Sequence, residues 1–155
     1  MKKSSILILI IICLCGCGKS SKKTSITGEI KGLGTDTLYL YGMDESFDRI
    51  DTIFANGDKF SYTTSIDTIT SAYLLIDNQI EYPIFLDKGN QIKIKGNIDH
   101  LEFLDINGNK YNEEFTAFQK ELGSLNNPSE KDLEQKAEEF ITAHHSSFVS
   151  LYLLD

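Results

Sequence analysis

The sequence lacks cysteine after residue 17, and this absence argues against most redox and metal chemistry. All three cysteines, Cys13, Cys15 and Cys17, lie two residues apart within the stretch CLCGCGKSS. Disulfide oxidoreductases and zinc knuckles use a Cys-x-x-Cys spacing, and a structural zinc ion needs four ligands. No second cluster of cysteine or histidine stands nearby in the sequence to complete such a set. We therefore expect neither a metal site nor a redox centre in this stretch.

Two further signatures of catalysis or nucleotide binding are missing. The triplet Gly18-Lys19-Ser20 matches the end of a phosphate-binding loop, but the first glycine of that motif would stand at the position of Cys13. The sequence also has no Gly-x-Ser-x-Gly, the nucleophile elbow of many serine hydrolases. We therefore expect a protein that is not an enzyme and that carries no cofactor.

An excess of basic residues is absent as well. The 155 residues carry a formal net charge of -8 at pH 7, so the chain offers little positive charge to neutralise nucleic-acid phosphates. Hydrophobic residues make up 41% and charged residues 25% of the chain, which is typical of a folded protein. The length fits one domain with a sizeable core.

No apolar run is long enough to span a bilayer. The longest, Ile6 to Leu14, has about half of the roughly 20 residues that a membrane-spanning helix needs. Lys2 and Lys3 precede it, and small residues follow it. A short basic start, a short apolar core and then small residues indicate a secretory signal peptide.

The end of this segment, Leu14-Cys15-Gly16-Cys17, resembles the bacterial lipobox. The resemblance implies that a diacylglyceryl group is attached to Cys17, that cleavage occurs between Gly16 and Cys17, and that the new N-terminus is acylated. Cys15 replaces the more usual Ala or Ser at its position. Cleavage before Cys15 is disfavoured because Leu14 is too bulky for that place. The mature chain would then begin at Cys17, be held on the membrane by it, and carry no free thiol.

The residues after Cys17 predict the location. In the proteobacterial sorting pattern, Gly18 in place of Asp implies the outer membrane. Surface export signals of Bacteroidetes-type lipoproteins tend to be acidic just after the lipidated cysteine. The segment GKSSKK is basic instead, which favours the periplasmic face of the membrane. The lysines Lys19, Lys22 and Lys23 either contact anionic headgroups or belong to a solvated linker. We divide the chain into a signal peptide (1–16), a tether (17–24), a β domain (25–106) and a helical segment (107–155).

From Thr24 onward the sequence consists of short alternating runs separated by turns. In QIKIK, Ile92 and Ile94 alternate with lysines, which marks a strand with one face toward water. The pair Asn56-Gly57 stands between two such runs and favours a hairpin, because both residues tolerate positive φ. Close spacing without intervening helices predicts an antiparallel sheet, either a sandwich or an open barrel. The predicted strands are SITGEI, TLYLY, RIDTIF, KFSYTTSI, SAYLLI, YPIFL and QIKIK.

After Ile106 the apolar period becomes helical. A second helix follows, with Asn127 or Ser129 as its cap and Glu130 or Asp132 completing a capping box. The stretch SSFVSLYLLD predicts a third, short helix. The chain is therefore mainly β, followed by C-terminal α-helices, and α+β overall. The apolar stripes are Tyr111, Phe115, Phe118 and Leu122 in the first helix and Leu133, Ala137, Phe140 and Ile141 in the second.

Three longer stretches, which contain six of these runs, resemble a β-rich domain of unknown function that stands at the N-terminus of Bacteroidetes lipoproteins, in front of a thioredoxin-like domain. The resemblance covers about Ser25 to Gly96. The helical stretch FITAHHSSFVSLYLL is similar to the connector that precedes the thioredoxin unit. The stretches are SITGEIKGLGTDTLYLY, RIDTIFANGDKFSYTTSI and YPIFLDKGNQIKIKG.

The redox activity of the family's thioredoxin-like domain is not expected for this sequence. The family pattern would continue into a thioredoxin-like domain with a Cys-x-x-Cys, and the sequence contains none. We expect a lipid-anchored, non-catalytic envelope module that acts in binding or scaffolding. Its partners would be the membrane, through acylated Cys17, and a protein or a thioredoxin-like domain, with no nucleic acid. The alternative is the front half of a thiol-disulfide oxidoreductase whose catalytic domain is missing or separately encoded.

The three histidines raise a metal hypothesis. His144 and His145 are adjacent, so on a helix their side chains point about 100° apart and do not easily share one ion. His100 lies far from both in the sequence. A site formed by all three is less favoured than a role for His144 or His145 at a helix C-terminus, where the dipole favours a cation.

The stretch Asp105 to Glu114 has some features of a calcium loop. Asp105, Asn107 and Asn109 take the first, third and fifth places of such a loop. Lys110 stands where glycine is required, however, and the final glutamate is absent. We therefore predict a turn and no metal here.

Two surface features remain open. Acidic residues around one hairpin favour solvated loop ends over a catalytic carboxylate pair. Aromatic residues in LYLYG, FSY and EYPIF either line a glycan- or peptide-binding face or form core and cross-strand pairs, and the second reading is favoured. An exposed sheet edge is a further way to bind a partner strand. The acidic residues are Asp44, Glu45, Asp48, Asp51 and Asp58.

Overall fold

A computed structural model describes residues 23–43 and 47–154. Within these residues the chain forms eight strands, a 3₁₀ segment and three α-helices. The strands are β1 (Lys23–Lys31), β2 (Thr37–Gly42), β3 (Ile50–Phe54), β4 (Lys59–Ser65), β5 (Thr70–Ile76), β6 (Ile80–Leu86), β7 (Gln91–Asn97) and β8 (Asp105–Asn107). The helices are the 3₁₀ segment Ile98–Phe103 between β7 and β8, α1 (Lys110–Gly123), α2 (Glu130–Ala143) and α3 (Phe148–Tyr152).

The strands form two four-stranded sheets. Sheet A has the order β4-β1-β7-β8, and sheet B has the order β3-β2-β5-β6. The inner faces of both sheets contribute to one hydrophobic core, so the β part is a sandwich. This confirms the predicted β-rich fold with helices behind it.

The expectation of a purely antiparallel sheet is wrong for one pair of strands. β1 and β7 run parallel, with Ile26 opposite Ile92 and Gly28 opposite Ile94. A tight hairpin forces two neighbouring strands to be antiparallel, but residues 32–90 separate these two strands and impose no such constraint. The other strand pairs in the two sheets are antiparallel.

Alternation along the strands builds the core as predicted. Ile92 and Ile94 of β7 are buried, while Lys93 and Lys95 point to solvent. Each fully buried aliphatic side chain of this size contributes roughly 1.5–3 kcal/mol relative to an exposed one.

A turn forms at the predicted Asn56-Gly57, but the strands on either side of it do not pair with each other as a hairpin, because they belong to different sheets. Gly57 and Asp58 adopt φ values of +57° and +67°, and Asn56 pairs with Lys59 across the turn. β3 before the turn belongs to sheet B, whereas β4 after it belongs to sheet A. The turn therefore joins the two sheets at one open side of the sandwich.

Helix α1 lies along the opposite open side, between β6 of sheet B and β8 of sheet A. Asn112 accepts a hydrogen bond from the backbone N–H of Phe85 in β6 (2.9 Å) and donates one to the carbonyl of the same residue (2.8 Å). One turn later, the hydroxyl of Thr116 makes the corresponding pair of hydrogen bonds with Ile106 in β8. Two polar side chains of one helix thus pair the backbone N–H and C=O groups of Phe85 and Ile106, one on the edge strand of each sheet. Without the helix these buried groups would have no hydrogen-bond partner.

Helix α2 begins with the predicted capping box. The hydroxyl of Ser129 accepts from the backbone N–H of Asp132, and the carboxylate of Asp132 accepts from the backbone N–H of Ser129. The sequence allowed Asn127 or Ser129 as the cap and Glu130 or Asp132 as its partner. The structure shows Ser129 as the cap and Asp132 as the partner.

The apolar stripe of α2 is less buried than its pattern suggested. No residue of this helix is fully buried, and the side chain of Leu133 is 39% exposed. The helix packs on the body of the protein chiefly through Phe140, whose ring centre lies 5.1 Å from that of Phe118 in α1. A helix that rests on another helix buries a narrower stripe than one that lies on a sheet, which accounts for the difference.

Candidate functional site

The outer face of sheet B is unusually rich in aromatic and aliphatic side chains. The strand register places Ile50 and Tyr73 on either side of Tyr41, and Pro83 next to Tyr73, in one row across the sheet. Glu81 is the one charged residue in the rows that the register defines on this face. We call this surface the aromatic face, and its residues are Tyr39, Tyr41, Ile50, Thr52, Phe54, Tyr73, Leu75, Glu81 and Pro83.

Two residues of β3 make this face available to a partner. Ile50 is 72% exposed and Phe54 is 74% exposed. Single exposed apolar side chains are common on protein surfaces, whereas a large contiguous apolar patch makes a surface a candidate for interaction. The face continues from these two residues onto the half-buried Tyr39 and Tyr41 of the next strand.

The hydroxyl groups of Tyr41 on this face and of Tyr152 at its margin stay protonated at neutral pH. Burial raises the pKa of Tyr41 to about 12, and a hydrogen bond with Glu81 adds to the effect. The ring of Tyr41 lies 5.8 Å from that of Tyr73. At the margin of the face, burial and a hydrogen bond with Tyr73 also raise the pKa of Tyr152 in α3. The face therefore offers apolar area together with neutral hydroxyl groups.

At the β3 end, the aromatic face meets a cluster of polar side chains around Arg49. The Nε of this arginine donates to the carboxylate of Asp51 at 2.7 Å, and an Nη donates to the hydroxyl of Thr64. The hydroxyl of Tyr62 donates to the same carboxylate oxygen of Asp51. The guanidinium also lies over the ring of Phe47, with its carbon 4.7 Å from the ring centre. These contacts join β3 to β4 across the open side of the sandwich.

The Arg49 cluster is partly accessible. The side chain of Arg49 is 49% exposed, and hydrogen bonding with Asp51 raises the pKa of the guanidinium, so it stays charged. An open cavity of about 420 Å³ lies between this arginine and the aromatic face, lined by Tyr41, Gly42, Met43, Phe47, Asp48, Arg49 and Ile50. The arrangement suits binding, since tyrosine and arginine side chains dominate the energetics of many interfaces.

The predicted acidic cluster is divided among different roles. Asp51 belongs to the Arg49 cluster, and Asp58 accepts a hydrogen bond from the backbone N–H of Gly34 at 2.8 Å. Asp48 is exposed beside the cavity. Asp44 and Glu45 lie outside the described residues.

The histidines are separate from one another in their contacts. His144 caps the C-terminus of α2 and stacks on Phe140 at 4.4 Å, with its Nδ1 3.8 Å from a carboxylate oxygen of Glu114. His100 lies in the 3₁₀ segment, 3.5 Å from Glu102. In residues 23–43 and 47–154, no three side chains of the metal-binding types are placed to hold an ion.

The calcium-loop residues have structural roles. Asp105 and Asn107 belong to β8, and Asn109 is the N-cap of α1, with its Oδ1 2.9 Å from the backbone N of Asn112. Gly108 forms the turn between strand and helix, at a φ of +106°. The predicted turn is thus a tight link from β8 into α1.

The aromatic residues considered in the sequence divide between core and surface. Phe60 and Tyr82 are buried in the core, Tyr62 joins the Arg49 cluster, and Tyr39 and Tyr41 lie on the aromatic face. The sequence analysis missed the Arg49 cluster altogether. One signal was available, because Arg49 is the only arginine in the chain.

The residues predicted to attach the protein to the membrane precede the described part of the chain. Gly16 and Cys17, the predicted cleavage and lipid-attachment sites, lie outside the described residues. Among the helices of the described part, none has the length and apolar character needed to cross a membrane.

Comparison with known proteins identifies the family. No curated protein matches the chain. A family profile described as a domain of unknown function, DUF4369, matches residues 24–115, which run from the second residue of β1 through β8 into the first part of α1. Since this match covers more than half of the 155 residues, the chain belongs to the DUF4369 family.

Proposed function

We propose that this protein is a lipid-anchored, non-catalytic module of the bacterial envelope that binds a partner protein through its aromatic face. The observation that carries the proposal is the continuous group of aromatic and aliphatic side chains on the outer face of sheet B, with Ile50 and Phe54 largely exposed. Interfaces are enriched in aromatic residues and arginine at their centres. The aromatic face and the neighbouring Arg49 provide this composition.

The lack of a catalytic arrangement at this face supports a binding role. Around the cavity, the described side chains are those of an arginine paired with Asp51, aromatic rings and exposed Asp48, with no nucleophile held against a general base. The hydroxyl of Tyr41 is hydrogen-bonded with Glu81, which leaves its oxygen able to accept a hydrogen bond from a partner.

The anchor rests on the N-terminal sequence. A basic start, a short apolar core and a lipobox-like Leu14-Cys15-Gly16-Cys17 support acylation of Cys17. Acylation by several chains holds a protein stably on a bilayer, whereas a single chain is marginal. Gly18 and the basic segment that follows it support the outer membrane and its periplasmic side as the location.

Site-specific photo-crosslinking tests the binding surface. A photoreactive amino acid at Phe54 of the aromatic face should give a discrete crosslinked band in intact cells, and the substitution Ile50→Ser should weaken it several-fold. The matched control places the same photoreactive group at Ser61, which is exposed on the outer face of sheet A. Equal crosslinking from both positions, or none from Phe54, would contradict binding through the aromatic face.

Mass spectrometry of the membrane fraction tests the anchor separately. The N-terminal peptide should begin at Cys17 and carry the mass of a diacylglyceryl group and an acyl chain. An N-terminal peptide that contains Met1 without modification would rule out the lipid anchor but would leave the crosslinking result untouched.

A second candidate is the front half of a thiol-disulfide oxidoreductase. It is favoured by the position of α3, whose Tyr152 contacts the margin of the aromatic face while Leu151 and Leu154 are exposed. A thioredoxin-like domain placed after α3 would lie close enough to cover that face. Translation of the gene beyond the codon for Asp155 tests this candidate, because it requires a Cys-x-x-Cys pattern in that domain or in a neighbouring gene.

A further inference from the structure

The outer face of sheet A carries more lysine than the acidic composition of the chain would suggest. The strand register brings five exposed lysines onto it, with two carboxylates among them. We call this surface the lysine face. Its charged residues are Lys23, Lys31, Lys59, Lys93, Lys95, Glu29 and Asp105.

The two carboxylates of the lysine face are each surrounded by lysine. Glu29 lies between Lys59 and Lys95 in the register, and its Oε2 is 3.9 Å from the Nζ of Lys59. Asp105 lies beside Lys95 and is 3.4 Å from the Nζ of Lys120. The lysines therefore outnumber the acids locally, and the face as a whole is positive.

Net positive charge is concentrated on this side of the molecule. Helices α1 and α2 together carry eight carboxylates and four lysines, so the helical part is acidic. The uncharged residues between the lysines are short, chiefly Ser and Thr, which leaves the lysine face flat. A shallow cavity of about 270 Å³ lies between β4, β1 and β7, and its charged lining residues are Lys59, Lys93, Lys95 and Glu29. This size and charge suit phosphate groups.

The chain connects the lysine face directly to the predicted anchor. β1 is a central strand of sheet A and begins at Lys23, and the six residue steps from Cys17 to Lys23 span at most roughly 20 Å. Lys19 and Lys22 lie within that stretch and add to the same charge. A domain held this close to a bilayer meets its headgroups at a high effective concentration.

We propose that the lysine face rests against anionic phospholipid headgroups of the membrane that holds Cys17, so that sheet A faces the bilayer and the aromatic face points away from it. This inference rests on the proposed lipid anchor. Each lysine near an anionic surface strengthens attachment about fivefold, and salt weakens the effect within a Debye length. The acidic helices are repelled from the same surface, which favours this one orientation.

Fluorescence quenching in vesicles tests the orientation. The acylated protein carries a fluorophore on a single new cysteine, either Ser61→Cys on the lysine face or Thr52→Cys on the aromatic face, and the vesicle lipids carry a headgroup quencher. In vesicles of phosphatidylcholine in which about a third of the lipid is phosphatidylglycerol, quenching at residue 61 should be about threefold stronger than quenching at residue 52. The difference should collapse in pure phosphatidylcholine and in about 1 M NaCl, where the Debye length is about 3 Å.

Two charge variants isolate the lysine face. Replacing Lys31, Lys59, Lys93 and Lys95 by Gln should abolish the difference in quenching. The control replaces Lys110, Lys131 and Lys136 of the helices and Lys88 of the loop before β7 by Gln, which changes the net charge equally without altering a lysine of this face, and it should keep the difference. Thermal unfolding establishes that each variant is folded. Equal quenching at the two positions in anionic vesicles, or equal loss in both variants, would overturn the proposal and would point to an acidic macromolecule as the occupant of the face.

Separate experiments test the proposed lipid anchor and the proposed orientation. Flotation of the purified protein with neutral vesicles reports the anchor alone, because electrostatic attraction is absent there. If the protein does not float, a Cys17→Ser chain that begins with a histidine tag and is bound to nickel-chelating lipid gives the same quenching comparison. Absence of flotation would therefore refute the lipid anchor. The quenching comparison with the tagged chain would still test the orientation.

Discussion

Thr116 provides the sharpest test of how helix α1 closes the sandwich. Its hydroxyl accepts from the backbone N–H of Ile106 at 3.1 Å and donates to the carbonyl of the same residue at 3.0 Å. Both residues are buried, and Ile106 is the middle residue of the edge strand β8. The substitution Thr116→Val keeps the shape of the side chain and removes both hydrogen bonds.

The expected loss of stability follows from the two backbone groups left without a partner. A buried donor or acceptor that loses its hydrogen bond costs roughly 1–3 kcal/mol. With two such groups at Ile106, we expect Thr116→Val to lower the free energy of unfolding by about 2–4 kcal/mol, a large part of the roughly 5–15 kcal/mol of a typical domain. Thr116→Ser keeps the hydroxyl and removes one methyl group, so it should cost only about 1 kcal/mol.

Urea unfolding followed by far-ultraviolet circular dichroism measures both variants. The valine variant should unfold at a lower urea concentration with an unchanged slope, because the surface exposed on unfolding is the same. Hydrogen exchange of the Ile106 amide should also accelerate. If the valine variant were as stable as the parent while the serine variant lost more, the methyl group and not the hydroxyl would be what matters at this position, and the account of edge closure would be refuted.

Three further substitutions test other features. An ideal Cβ at Gly28 would lie 2.1 Å from the ring of Phe60, so Gly28→Ala should lower the free energy of unfolding by about 1–3 kcal/mol in urea unfolding, and Phe60→Leu should relieve part of the loss. Arg49→Lys loses the planar contact that joins β3 to β4, but the side chain is half exposed, so the same assay should show a loss of only about 1 kcal/mol. Hydrogen bonds from Ser129 lower the pKa of Asp132 from its ordinary 3.8, so the contribution of this carboxylate to stability is present above pH 3.8 and is lost as the pH falls through the lower pKa of the folded state. A nuclear magnetic resonance titration of Asp132 should show this pKa rising toward 3.8 in Ser129→Ala, and an unchanged pKa would contradict the capping box as its cause.

The strands and helices were predictable because their signals are local. The alternation of Ile92 and Ile94 with lysine appears in β7 as expected, and the capping residues of α2 are three residues apart in the sequence. β8 was missed because its three residues are too few to show an alternation before Gly108 ends the strand. The parallel pairing of β1 with β7 was missed because nothing local fixes the direction of strands so far apart in the chain.

The candidate surfaces were less predictable because they depend on contacts between distant residues. Arg49 meets Thr64 only because the turn after β3 leads from one sheet into the other. In the sequence, Tyr39 and Tyr41 are ordinary alternating positions, and so are Lys93 and Lys95. Only the register collects such residues on separate faces, and no spacing within one strand carries that information.

The same register allows one small domain to hold two independent contacts. The two sheets of a sandwich pack about 10 Å apart, and the core between them separates the lysine face from the aromatic face. A partner that covers Ile50 and Phe54 therefore does not compete with headgroups for Lys93 and Lys95. Charge on one face and apolar area on the other also keep the two occupants distinct, since anionic headgroups gain nothing from the aromatic face. If both proposals hold, the loss of one contact leaves the other intact: Ile50→Ser weakens crosslinking without changing quenching at residue 61, and the four-lysine variant changes quenching while the crosslink from Phe54 persists.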